Sequence, residues 1–79
     1  MKIYVGNLTA DSMESALIRK FERFGIVESA KIVKDPKTGR SQGYAIVTMP
    51  NDEEAQAAIK ALDRLEFNGC WWSVKEARF

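Results

Sequence analysis

Tyr4 and Tyr44 are the residues best placed to meet a ligand, and the chemistry they offer is stacking rather than reaction. Each sits in an alternating stretch, "KIYVGNL" (Lys2 to Leu8) and "GYAIVTM" (Gly43 to Met49). Ile3 and Val5 form the inward set of the first, and Ala45, Val47 and Met49 that of the second. A period of two then turns Tyr4, Tyr44 and Ile46 to the opposite face. Nucleic-acid bases stack on such rings at about 1–3 kcal/mol each. Lys2, Lys31 and Lys75 fall on neighbouring strands, where ammonium groups can meet phosphates. The competing reading is a cross-strand pair that steadies a half-exposed sheet, worth about 0.2–1 kcal/mol. It does not explain why Tyr4, Tyr44 and Ile46, with Val33 and Trp71 as further candidates, would form one apolar platform inside a rim of lysines.

Reactive chemistry has little to work with. The chain has no histidine and one cysteine, Cys70. Neither a metal site, an internal disulfide nor a Ser-His or Cys-His nucleophile pair is expected. The carboxylates sit mainly at helix starts and outer helix faces, so no catalytic residues and no cofactor are expected. A lone thiol fits a reducing, cytoplasmic setting. No apolar run approaches membrane length, and the N-terminus lacks the apolar segment of a signal peptide.

Net charge is only +1 over 79 residues, short of the basic balance typical of nucleic-acid binders. Its distribution is more telling. The strands, their loops and the tail hold seven cations (Lys2, Lys31, Lys34, Lys37, Arg40, Lys75, Arg78) against three anions, whereas the helices and adjoining turns hold five against eight. A field positive towards the tyrosines steers a polyanion to that side.

The elements that must position these residues follow from periodicity. After the first strand, "DSMESALIRKFERFG" gives a helix whose Met13, Leu17, Phe21 and Phe24 share one face, with Asp11 and Glu14 as a capping box and Gly25 at its end. "VESAKIVK" is a second strand, needing a bulge for Val27 and Ala30 to share a face. Asp35-Pro36 and Gly39 mark a loop before the third strand. Asn51 and Asp52 cap a second helix with Ala55, Ala58, Ile59 and Leu62 inward. Asn68-Gly69 turns into "CWWSVKEA" as the last strand. Trp72 is expected in the core. Trp71 is either a further platform member or a lid over the strand edge. The order predicts an α+β, ferredoxin-like βαββαβ sandwich, residues 1–79 as a single domain, with a four-stranded antiparallel sheet and two helices on one face. The other face is left open, with Tyr4 and Tyr44 side by side on the two central strands.

With these elements in place the chain resembles the RNA recognition motif family over practically its whole length. "IYVGNL" matches the family's hexamer on the first strand, with Tyr4 at its stacking position. "QGYAIVTM" (Gln42 to Met49) matches its octamer on the third, with Tyr44 as second ring. The spacing through Leu17, Phe21, Ile32, Ala55, Leu62, Gly69 and "VKEAR" agrees, and the compact form resembles small bacterial members. The octamer departs from the family pattern twice. Gln42 stands where a cation is usual, and Ile46 where a third ring usually packs against a ribose; Arg40 is a candidate for the missing charge.

The resemblance implies a non-catalytic, monomeric binder of single-stranded RNA. Tyr4 and Tyr44 would each stack a base and Ile46 would contact the ribose between. Lys2, Lys31, Arg40, Gln42, Lys75 and Arg78 would meet phosphates or base edges, with Trp71 beside them. Single-stranded DNA is the alternative polymer. A protein-interaction module using the same face, with weak self-association, is the alternative function, favoured by Ile46, Gln42 and Trp71. An acylphosphatase-like enzyme on this scaffold finds no cation-lined anion loop here.

Overall fold

In the computed structural model residues 1–8, 13–34, 37, 41–67 and 69–77 are described, with the backbone alone at 34, 41, 42, 67 and 70. Period-two segments become strands β1 (Lys2–Gly6), β2 (Ser29–Lys34) and β3 (Ser41–Thr48), and the period of three and four gives helices α1 (Glu14–Glu22) and α2 (Asp52–Leu62). Three short strands follow: β4 (Glu66–Phe67), β5 (Cys70–Trp71) and β6 (Ser73–Glu76). The main sheet runs β2-β3-β1-β6 and is antiparallel throughout, and β4 and β5 form a separate two-stranded ribbon. This is the expected ferredoxin-like sandwich.

Burial divides the sheet into two faces. Ile3, Val5, Ile32, Ala45, Val47 and Val74 join Leu17 and Phe21 of α1 and Ala55, Ala58 and Leu62 of α2 in one buried cluster, with Trp72 among them. Among the described residues none of the buried ones is polar or charged, so the core holds together by apolar burial and shape. No described helix is long and apolar enough to cross a membrane.

Three expectations change. The first helix begins at Glu14, with Met13 at its N-cap and no side-chain cap bond. Asp11, the other half of the expected box, lies outside the described residues. Glu14 instead accepts the Ile32 N–H at 3.0 Å, pairing a donor on the edge strand that the sheet leaves unmatched. The irregularity in β2 lies between Ile32 and Lys34 rather than at Val27; Val27 precedes the strand and packs against the core margin. The last expected strand is broken at Trp72. Its N–H donates to the Leu65 carbonyl at 2.9 Å, and its own carbonyl accepts from the Arg64 N–H at 2.8 Å. Cys70 and Trp71 thereby leave the main sheet for the β4–β5 ribbon.

The second helix cap is as expected, with Asn51 Oδ1 accepting the Glu54 N–H at 3.0 Å. The Glu54 carboxylate also accepts the Ile26 N–H at 3.2 Å. It lies where a Cβ on Gly25 would fall, so a side chain there would push the carboxylate off the Ile26 N–H, and the Gly25 φ of 155° itself favours glycine.

Candidate nucleic-acid interface

Strand register lays out the open face as rows. One row reads Lys31, Ile46, Tyr4, Lys75 from β2 to β6. The next reads Tyr44, Gly6, Ser73, and the row on the other side Ser29, Thr48, Lys2. The central row therefore places an aliphatic and an aromatic side chain between two exposed lysines. Tyr4, Tyr44 and Ile46 are half-buried, while Lys2, Lys31 and Lys75 are exposed. The bulge after Ile32 leaves Val33, also half-buried, outside this strict alternation.

The two tyrosines are diagonal partners rather than direct ones, because Tyr4 faces Ile46 and Tyr44 faces Gly6. They meet nonetheless. Their ring centroids are 5.6 Å apart with planes inclined at 28°. Gly6 makes this possible: a Cβ there would lie 2.6 Å from Tyr4 Oη, 2.7 Å from Cε1 and 2.9 Å from Cζ. The Tyr4 ring thus lies along its own strand over a position without a side chain, leaning towards Tyr44. Lys75 Nζ is 5.3 Å from the centroid of the same ring, a favourable cation–π distance.

Gly6 is the position beneath the platform that sequence reasoning missed. Its signal is a glycine two residues after an outward tyrosine, on the same face of the strand. Gly6→Ala is expected to leave the melting temperature within a few degrees, because the clash is with the far end of a movable side chain. The aromatic proton shifts of both tyrosines should change as the Tyr4 ring swings off its seat. One-dimensional NMR with a thermal melt checks both halves; unchanged tyrosine shifts would remove Gly6 from the site.

Trp71 is 60% exposed and stands on β5, in the ribbon rather than in the main sheet. Asn7, with φ of 63°, donates from Nδ2 to the Trp71 carbonyl at 2.8 Å. Trp72 is buried as expected. Arg40, Arg78 and the side chain of Gln42 lie outside the described residues, as do Asp35, Pro36, Gly39, Asn68, Phe79 and the side chain of Cys70.

The charge sorting needs refining on the helical side. α2 and its flanks carry Asp52, Glu53 and Asp63, all exposed, whereas Arg19, Lys20 and Arg23 line a shallow depression on α1 with Ser15 and Ala16. The acidity of the back lies on α2 and its flanks, while Glu14 and Glu22 nearly balance the three cations of α1, which a count over both could not resolve.

Comparison with known proteins agrees with this geometry. The model of the RNA recognition motif family matches residues 3–73. A Nostoc sp. protein provisionally named RNA-binding protein RbpB is 41% identical over 78 residues, 99% of this chain and 76% of that protein. The crystal structure of RNA binding protein PG1 superimposes with a TM-score of 0.93 at 42% identity, over 98% of this chain and 93% of that one. A Sex-lethal protein–RNA complex superimposes with a TM-score of 0.88 at 35% identity, over 96% of this chain and 47% of that one. The chain spans about a quarter of the length of the chloroplast ribonucleoproteins of Nicotiana that it also matches.

Proposed function

The chain belongs to the RNA recognition motif family, and from that premise we propose that it is a non-catalytic binder of single-stranded RNA acting through the open face of its sheet. The observation that carries this reading is the row Lys31, Ile46, Tyr4, Lys75 with Tyr44 leaning against Tyr4. Flat rings bordered by ammonium groups match a strand whose bases are apolar discs and whose backbone is anionic. The RNA in the Sex-lethal complex and the name of the cyanobacterial relative support the same polymer.

In this reading Tyr4 and Tyr44 each stack one base and Ile46 contacts the ribose between them. Lys2, Lys31 and Lys75 meet phosphates, and Arg40, Gln42 and Arg78 add contacts to phosphates or base edges. Residues 1–79 act as one domain, as a monomer, in a reducing cytoplasmic compartment. RNA is the polymer in the Sex-lethal complex, and single-stranded DNA is the alternative that a parallel titration separates from it. With two rings the affinity is modest, on the order of micromolar.

Titration of a short single-stranded RNA at several salt concentrations tests the reading. If three lysines each neutralise one phosphate, log K should fall against log salt with a slope of about −2, from −0.7 per phosphate on a single strand. Lys75→Gln should flatten that slope by about 0.7. A salt-independent association, or a ligand that shifts helix resonances and leaves the sheet unmoved, would overturn it.

A further inference from the structure

The geometry points to a third base-binding position on the indole of Trp71, beyond the two tyrosines and held in place by Asn7. It rests on the nucleic-acid reading of the sheet and extends it to a ligand of at least three bases.

Exposure alternates along the chain here. Trp71, Ser73 and Lys75 are exposed, and Trp72 and Val74 between them are buried. The buried pair belongs to the core cluster. Ser73 and Lys75 lie on the open side of β6, where the Lys75 ammonium stands over Tyr4, and Trp71 is left to solvent just before them. The ribbon separates Trp71 from β6 in hydrogen bonding. Ser73 pairs with Gly6, which pairs with Tyr44. Asn7, the residue after Gly6, holds the Trp71 carbonyl and so ties the ribbon to that corner of the platform. A strand of nucleic acid crossing the tyrosines towards this corner would reach it with a flanking base.

The backbone that carries the indole is also fixed in advance. Trp71 pairs with Glu66 across the ribbon, the next residue is tied to Leu65 and Arg64, and Asn7 Nδ2 holds the Trp71 carbonyl. A lid over the strand edge would bury its ring, yet this one is 60% exposed. Of the three large apolar residues exposed among those described, Met13, Ile26 and Trp71, it alone is aromatic. An exposed ring on a braced backbone loses little conformational freedom when it stacks on a ligand. Continuity with the lysine rim selects a polyanion's base as the occupant rather than an apolar peptide. Asn7 is a positioning residue: it sets the ring through the backbone and touches no ligand itself.

Because Trp72 is buried, changes in tryptophan emission on adding ligand report on Trp71. Titration of the 79-residue chain with a single-stranded hexanucleotide and a dinucleotide of the same bases supplies the test. The hexamer should quench the emission. Trp71→Ser should weaken hexamer binding about fivefold or more, as expected for one lost stack, and change dinucleotide binding less than twofold. Asn7→Gly keeps the left-handed backbone accessible and deletes the amide; it should shrink the quench and weaken the hexamer severalfold with little change in the melt. Hexamer binding that depends on Tyr44 while Trp71 emission stays constant, and Trp71→Ser is neutral, would overturn this third position and leave the tyrosine platform standing. Failure of both lengths to bind would remove the platform and the third position together. A Trp71-dependent, concentration-dependent dimer without RNA would reassign the indole to protein contact and also overturn it.

Discussion

Tyr44→Ala is expected to weaken binding of short single-stranded RNA by about one to two orders of magnitude, while the domain stays folded. One base stack contributes about 1–3 kcal/mol, and each 1.4 kcal/mol is a factor of ten. The loss is expected towards the upper part of that range because the substitution acts twice. It deletes one stacking surface, and it deletes the neighbour, 5.6 Å away, against which the Tyr4 ring is oriented. Tyr4 then keeps its seat over Gly6 and its Lys75 contact but loses its lateral support. The cost to folding is smaller. Tyr44 is half-buried on the face away from the core, where a cross-strand partner is worth about 0.2–1 kcal/mol.

Two companion variants separate the contributions. Tyr44→Phe keeps the ring and should retain most of the affinity. Tyr4→Ala combined with Tyr44→Ala should lose less than the sum of the single losses, because each single change already disturbs the other ring. Fluorescence anisotropy with a labelled oligonucleotide gives the constants of these variants and of Tyr4→Ala alone, and a thermal melt of each confirms that the fold persists. Full affinity in Tyr44→Ala would take the platform out of the account.

Much of this site was legible in sequence because strands write themselves with a period of two. Tyr4, Tyr44 and Ile46 had to be opposite Ile3, Val5, Ala45 and Val47, and they are. The α1 face was equally legible from Leu17 and Phe21. What was missed depends on contacts distant in sequence. The start of α1 was misread because Glu14 turns to Ile32, eighteen residues on, instead of to its own helix end. The break at Trp72 follows from pairing with Arg64 and Leu65, which no local pattern announces. The diagonal meeting of the tyrosines needs both the register and the bare Gly6. Alternation alone gives the face and not the neighbour.

Phe21→Ala carries the largest expected effect on stability. Phe21 is fully inaccessible and heads the fully buried side chains in volume, on the helix that packs against β2. Truncating a buried phenylalanine costs about 3–5 kcal/mol, against total stabilities of about 5–15 kcal/mol for natural domains. At about 4–8 °C of melting temperature per kcal/mol for a domain of this length, the variant should melt tens of degrees lower or fail to fold at ambient temperature. Urea denaturation followed by the emission of buried Trp72 measures the loss, and Phe21→Leu should recover most of it. RNA affinity supplies a second discrimination. The inner face of the sheet loses its cover in Phe21→Ala, so binding should fall only in proportion to the unfolded fraction. An osmolyte that restores folding should then restore binding, whereas the same osmolyte should leave Tyr44→Ala defective. Opposite responses would mean that the core, rather than the open face, makes the contacts with the ligand.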